Sequence, residues 1–183
     1  MPEEENDWTS LFYGFLKAIF WVAAAVVVLR IFIVQPLFVD GASMEPTFEN
    51  NDLVFAEKLS YKFRPARRFE FVIFSSPHNE EDVLIKRIVG LPGERLRIEN
   101  GSIYVSGPDN SSGVKLEEPY RRKSFSEDLA EVAIGEDELF VIGDNNPASL
   151  DSREFGPIKK SEVIGKVFLR IWPIDKFTLF VGL

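Results

Sequence analysis

A serine and a lysine far apart in this chain could together perform nucleophilic catalysis. Ser43 stands in residues 41–47, between a flexible glycine and a proline-stiffened turn, a setting that can expose a hydroxyl in a fixed direction. Lys86 stands within the apolar run at residues 83–89, which has the character of a β-strand. Burial on a strand lowers the pKa of an ammonium group, so the neutral amine could act as a general base. The two residues would then supply a serine nucleophile and its base.

Each of these residues also has a purely structural interpretation. A serine beside glycine and proline often does no more than complete a turn. A lysine in a strand can serve to discourage edge-to-edge aggregation. The single histidine, His78, lies in a polar loop, and we expect it to be exposed to solvent rather than to act as the base.

A third segment, residues 143–156, follows an apolar strand and is rich in turn-forming Asp and Asn. It contains Asp144, Asp151 and Arg153, and an arginine can form a fork-shaped ion pair with a carboxylate. The Asp and Asn side chains could equally satisfy only the backbone of the loop itself.

The composition excludes several classes of site. The chain has no cysteine, which excludes disulfides, thiolate metal sites and a cysteine nucleophile. One histidine cannot form a multi-histidine metal site. The formal net charge of -8 argues against a general affinity for nucleic acid. We therefore expect no metal, no cofactor and no nucleic-acid partner.

Residues 11–34 form an almost continuous apolar stretch, interrupted only by Lys17 and Arg30. As a helix it would extend about 36 Å, enough to cross a hydrocarbon core of about 30 Å. We expect Lys17 and Arg30 near opposite interfaces, with their charged ends toward lipid headgroups. A cleaved secretory signal is disfavoured because acidic residues precede the stretch, and its length disfavours a buried soluble helix. Membrane lipid is thus an expected partner, although flanking charge does not determine the orientation.

From residue 35 onward, short β-rich segments alternate with turn signals, and Asn100-Gly101 is a strong hairpin signal. We expect exposed loops at residues 107–113 and 120–128, and the glycosylation-like triplet Asn110-Ser111-Ser112 falls in the first. The predicted fold class is mainly β: an N-terminal tail at residues 1–10, a single transmembrane helix at 11–34, and an antiparallel β-rich catalytic domain at 35–183. The predicted strands are residues 53–58, 70–75, 83–89, 95–99, 102–106, 139–143 and 163–172.

Taken in order, the three segments resemble the type I signal peptidases, a family of serine-lysine proteases. The resemblance covers the apolar anchor and residues 35–58, 83–96, 117–120 and 139–173. It implies that Ser43 attacks the scissile carbonyl and that Lys86 takes its proton. It also implies a membrane-bound endopeptidase that removes signal peptides from exported preproteins after Ala-x-Ala-type sites. The implied location is a bacterial plasma membrane, with the catalytic domain on the extracytoplasmic side.

The resemblance also assigns supporting residues. Ser149 matches a hydroxyl that orients the lysine, while Asp144, Asp151 and Arg153 match a charged group that braces the site. The substrate would lie between residues 37–41 and 82–86, above shallow pockets for small side chains. The substrate-binding residues implied in this way are Leu37, Val39, Gly41, Met44, Leu84 and Ile85. Some family members have a hydroxyl residue as oxyanion donor where this chain has Gly41, so the second donor is not assigned.

Two other functions fit part of the pattern. A self-cleaving regulator of the LexA-like type shares a serine-lysine dyad and a β fold, but a DNA-binding module would stand where this chain has its hydrophobic stretch. A membrane-anchored binding domain with a dead site would lack a catalytic residue, whereas Ser43 and Lys86 are both present. The run at residues 177–183 is too short to span a bilayer, and we expect it to pack on the β domain or to touch the interface.

Overall fold

A long apolar helix leads into the β-sheets. The computed structural model describes residues 7–79, 81–107, 110–120 and 125–180. Its first helix, α1, covers Asp7–Phe32, and the part Trp8–Val28 is long and apolar enough to cross a membrane, with none of it buried in the protein. The helix ends before the predicted boundary at residue 34, because Val34 already pairs with Glu57 in a sheet.

Twelve strands and two short helices follow within the described ranges, and every strand pairing is antiparallel. The predicted fold class is therefore confirmed. The short helices are α2 (Ser60–Phe63) and α3 (Ser152–Phe155). The strands are β1 (Val34–Phe38), β2 (Leu53–Glu57), β3 (Phe71–Ser75), β4 (Val83–Gly90), β5 (Arg95–Glu99), β6 (Ser102–Gly107), β7 (Asn110–Lys115), β8 (Leu129–Ala133), β9 (Glu138–Ile142), β10 (Ile158–Lys159), β11 (Val163–Trp172) and β12 (Thr178–Leu179).

These strands form two sheets. The order in the larger sheet is β1-β2-β11-β3-β4-β9-β10, with β12 also paired to β11. The smaller sheet has the order β7-β6-β5-β8. Within the larger sheet, β1 pairs only with β2, so it forms an edge of the part of the sheet that the structure describes.

Strand β3 is buried on both faces of the larger sheet, and its neighbours divide into two apolar clusters. Phe71 and Ile73 pack in a cluster with Phe48, whereas Val72 and Phe74 pack on the opposite side. This division follows the two-residue period of a strand. A third cluster joins the smaller sheet to the ends of β4 and β9; it contains Val89, Leu96, Ile98, Ile103, Phe140 and Ile142.

The seven predicted strands are present, and each observed end lies within one residue of its predicted position. The hairpin signal at Asn100-Gly101 joins β5 to β6, and both residues have the positive φ that a type I′ turn requires, at 50° and 74°.

The two predicted exposed loops are wrong in part. Strand β7 begins at Asn110 and pairs with β6, and the glycosylation-like triplet lies in this strand, with its side chains outside the described part. In the second loop, residues 121–124 lie outside the described residues, whereas Phe125 is buried against the smaller sheet. A polar strand at a sheet edge lacks the apolar alternation from which it could be predicted.

Candidate active site

The side chains of Lys86 and Ser43 meet above the larger sheet. Lys86 lies on β4 opposite Val72 of β3, and only 2% of it is exposed. Ser43 follows the left-handed backbone of Gly41, where φ is 91°. The Lys86 Nζ donates a hydrogen bond of 2.7 Å to the Ser43 Oγ. The two residues are 43 positions apart in the sequence, and the structure brings them into direct contact.

Burial is the main influence on the pKa of Lys86. The pKa of Lys86 is lowered from 10.5 to about 8, and loss of hydration is the largest cause. The Arg153 cation also lowers the pKa, whereas the carboxylates of Asp151 and Asp144 raise it. In a substantial fraction of the molecules Lys86 is therefore neutral just above pH 8, and a neutral amine can accept a proton.

The loop after β9 holds the serine in place. Because Arg87 pairs with Ile142, the same antiparallel register sets Gly143 opposite Lys86. The Asn145 N–H donates to the carbonyl of Ser43 at 3.0 Å, and its side-chain amide donates to the carbonyl of Ala42 at 3.0 Å. The absence of a side chain at Gly143 permits this approach, since a Cβ there would lie 2.5 Å from the Ser43 carbonyl oxygen.

The charged residues predicted to form one bracing group form two separate ion pairs, which corrects that prediction. Arg153 binds Asp151 through its Nε at 2.8 Å and its Nη2 at 2.9 Å. Asp144 is instead bound by Arg87, through Nε at 2.8 Å and Nη2 at 2.6 Å. The cause is strand alternation: Arg87 follows Lys86 on β4 and so projects to the opposite face, where Asp144 also lies.

Three functional neighbours of this second pair were not predicted from the sequence. The Thr47 hydroxyl donates to Asp144, which links the pair to residues 41–47, here called the serine loop. The guanidinium of Arg87 lies between two aromatic rings, 4.2 Å from the centroid of Phe71 and 3.6 Å from that of Tyr120. The signal that could have revealed the pair is the cation Arg87 in an apolar strand, because a buried guanidinium requires a carboxylate partner.

Ser149, predicted to orient the lysine, lies close to Ser43 but forms no hydrogen bond to Lys86. Its buried hydroxyl makes no hydrogen bond within the described part of the chain. The side chain occupies the space left by Gly143, since a Cβ at Gly143 would lie 2.2 Å from the Ser149 Oγ. An orienting role for Ser149 stays a prediction.

The residues predicted to bind substrate do not all share one cluster. Val39, Met44 and Ile85 are buried in the cluster around Phe48, with Leu37 packed against it, whereas Leu84 packs in the cluster on the other face of the sheet. Gly41 is exposed. Val39, Met44 and Ile85 thus lie together in one buried cluster, and their role in substrate binding stays a prediction.

Two backbone edges near the dyad lack a strand partner in the described structure. Strand β1 is paired on one side only. In β4, pairing with β9 begins at Arg87, so residues 83–86 are paired with β3 alone.

His78 is exposed, and its ring contacts Phe155. Among the described residues, no group of three His, Cys, Asp or Glu side chains could hold a metal ion.

Comparison with known proteins identifies the family of this chain. Residues 12–172 match the family described as signal peptidase, peptidase S26. The chain is 35% identical to signal peptidase I of Bacillus caldolyticus over 173 residues, which cover 86% of this chain and 91% of that protein. It is 32% identical to the probable signal peptidase I-2 of Synechocystis over 180 residues, 96% of this chain and 78% of that protein.

A solved structure of a signal peptidase I from Enterococcus faecalis is 30% identical and covers 56% of this chain and 97% of that one, with a TM-score of 0.48. The family match extends over both Ser43 and Lys86 and over most of the chain. The chain belongs to the signal peptidase family, peptidase S26, and is a serine peptidase of the signal peptidase I type.

Proposed function

We propose that this protein removes N-terminal signal peptides from exported preproteins, with Ser43 as nucleophile and Lys86 as general base. The observation that carries the proposal is the 2.7 Å contact between the Nζ of the buried Lys86 and the Ser43 Oγ. A buried amine with a lowered pKa beside a serine hydroxyl is the arrangement that activates a serine without histidine.

In the proposed reaction, the Ser43 Oγ attacks the scissile carbonyl while the Lys86 amine accepts the hydroxyl proton. The tetrahedral intermediate then collapses, the C–N bond breaks, and Lys86 returns the proton to the leaving amine. Water, deprotonated by the same amine, hydrolyses the acyl-enzyme and regenerates Ser43. Arg153 and Asp151 act as positioning residues, since their opposing charges tune Lys86.

The Ser43 backbone N–H is the first proposed oxyanion donor. Gly41 has no side chain to supply a second one, and loss of one such donor can cost on the order of 3 kcal/mol in barrier height. Another backbone N–H or a water molecule would have to act as the second oxyanion donor.

The unpaired edges of β1 and of residues 83–86 support binding of the substrate as an added strand. Side chains of a bound strand alternate, so the first and third residues before the cut would point toward the same pocket floor. That floor, formed by Val39, Met44 and Ile85, is filled by its own side chains, which supports a preference for small residues and cleavage after Ala-x-Ala-type sites.

The helix α1 supports anchoring in a bacterial plasma membrane by a single span, with the catalytic domain on the extracytoplasmic side, where exported preproteins emerge. Unpaired backbone cannot remain in lipid, and a helix satisfies its own hydrogen bonds there. The segment Trp8–Val28 has the required length.

The test is cleavage of a purified preprotein by the full chain in detergent. Ser43→Ala and Lys86→Ala are each expected to abolish turnover while the fold is retained. Lys86→Arg is expected to fail as well, because a guanidinium keeps its proton in this pH range. Lys115→Ala, at an exposed lysine on β7, is the matched control and should cleave at the wild-type rate. Near-normal cleavage by either dyad variant would exclude the assigned mechanism.

A further inference from the structure

A short basic segment lies beside the membrane helix. Residues 58–68, here called the basic tip, carry five of the 21 Lys and Arg residues and no Asp or Glu, in a chain of net charge -8. The tip includes α2, and Phe63 at the end of this helix is 83% exposed. Phe63 is thus as exposed as Trp8 and Trp21 on the membrane helix, which are 79% and 69% exposed.

The sheet register places the basic tip next to the end of α1. The chain leaves α1 into β1, and β2 returns antiparallel to β1, with Glu57 opposite Val34. The next residue, Lys58, donates its backbone N–H to the carbonyl of Ile33 at 2.9 Å. Strand β2 therefore runs back toward the anchor, and the basic tip extends beyond the end of the strand on the side from which α1 arrives.

The charges of the basic tip differ in how they are used. Arg64 is bound to the buried carboxylate of Glu70, and Arg68 to Glu94. Lys62 and Arg67 are exposed, and neither side chain forms an ion pair within the described part of the chain. An exposed phenylalanine flanked by two available cations has the chemistry of a membrane interface, where the ring enters the acyl boundary and the cations meet phosphate groups.

We propose that the basic tip is a second membrane contact, in which Phe63 enters the interface and Lys62 and Arg67 bind anionic lipid headgroups. This inference rests on the proposed membrane anchoring by α1, and it does not depend on the peptidase reaction. Two contacts restrict rotation of the catalytic domain about its anchor, which a single helix would leave free.

The experiment uses the absence of cysteine, because one introduced thiol can be labelled at a chosen site. Phe63→Cys in the full chain is labelled with an environment-sensitive fluorophore and reconstituted into phosphatidylglycerol–phosphatidylcholine vesicles that contain either a headgroup-level or an acyl-chain lipid quencher. Val22→Cys, in the middle of α1, reports insertion of the anchor through the acyl-chain quencher. Val114→Cys on β7, which is 50% exposed, reports a surface away from the tip. Peptide cleavage by each labelled sample shows that the fold is intact.

We expect strong acyl-chain quenching at position 22, strong headgroup-level quenching at position 63, and little of either at position 114. In vesicles of phosphatidylcholine alone, or with Lys62→Glu and Arg67→Glu together, quenching at 63 should fall at least about fivefold, the effect of roughly one basic residue near an anionic surface. Lys115→Glu, the matched charge reversal, should leave it unchanged.

Quenching at 63 that equals the value at 114, while position 22 is quenched, would overturn the membrane contact and leave the anchor in place. If quenching at position 63 is the same in both lipid compositions and is unchanged by Lys62→Glu with Arg67→Glu, the assigned role of Lys62 and Arg67 is overturned. Absence of quenching at position 22 would overturn the anchoring itself and this inference with it, whereas loss of peptide cleavage alone would concern only the proposed reaction.

Discussion

Lys86 is held between two opposing influences at the level of single residues. Burial lowers its pKa, and the Arg153 cation acts in the same direction, while Asp151 and Asp144 act against it. The two carboxylates are themselves buried and each is bound by an arginine, so their effect on the lysine is partly compensated. Burial and the local ion pairs, rather than the net charge of -8, therefore set the protonation of the proposed base.

Removal of Arg153 should move the activity profile to higher pH. In Arg153→Ala the carboxylate of Asp151 loses its partner, so it stabilises the protonated form of Lys86 and raises the pKa of this lysine. Activity requires the neutral amine, so the rising limb of kcat/KM should shift toward alkaline pH. Asp144 keeps its pairing with Arg87, so the fold should survive.

The control for this prediction is Arg68→Ala, since Arg68 binds Glu94 away from the dyad. That variant should keep the wild-type limb. An unshifted limb in Arg153→Ala would mean that the Asp151 pair does not tune the base.

At the level of elements, strand β4 places two basic side chains, Lys86 and Arg87, on opposite faces of one sheet. Lys86 meets the serine on one face, and Arg87 on the other face binds Asp144, which also accepts from Thr47 in the serine loop. The strand and the two loops that build the site are thus connected by a buried ion pair. Loss of one partner of a buried pair typically costs 3–5 kcal/mol because an uncompensated charge remains.

Gly143, the residue that follows strand β9, must lack a side chain for the site to assemble. Gly143→Ala places a Cβ 2.2 Å from the Ser149 Oγ and 2.5 Å from the carbonyl oxygen of Ser43, so the serine loop must move. We expect at least about a hundredfold loss of kcat, because a displacement of about 1 Å at reacting groups has that effect. Steady-state cleavage of a short peptide measures it.

Gly107→Ala is the matched glycine control, since its Cβ would meet only the Glu94 side chain at 3.8 Å. This variant should retain activity. Equal activity of Gly143→Ala and Gly107→Ala would contradict the close packing of the serine loop on β9.

The strands with apolar runs could be predicted from the sequence, whereas edges and pairings could not. Residues 95–99 and 163–172 have their predicted bounds because their hydrophobic pattern is regular. Strand β1 was missed because its apolar residues continue those of α1. The partner of Asp144 was missed because long-range pairing depends on register, and Arg153 is closer in sequence than Arg87.

At the scale of the whole molecule, α1 leads directly into the edge strand that borders the site. Only β1 and a short turn separate Phe32 from Ser43, a distance of at most about 36 Å if fully extended. The nucleophile therefore stays close to the membrane surface if α1 spans the bilayer, where the cleavage site of a preprotein would emerge.

Two arginines in the middle of α1 should release the protein from membranes. Each arginine at the centre of a spanning helix costs about 2.5–3.5 kcal/mol, so Ile19→Arg with Val22→Arg should move the chain into the soluble fraction of an alkaline carbonate extraction. The wild type should remain in the pellet. Val114→Arg on β7 is the control and should also remain, and release of the wild type would contradict a transmembrane anchor.

The identity of the base is tested most directly by the pH dependence of single-turnover cleavage of a short Ala-x-Ala peptide. Because the pKa of Lys86 is lowered to about 8 and the neutral amine is the active form, activity should rise with pH along a limb centred near pH 8. The limb should be unchanged in His78→Gln, whose exposed imidazole lies outside the dyad. A limb that disappears in His78→Gln would contradict Lys86 as the base.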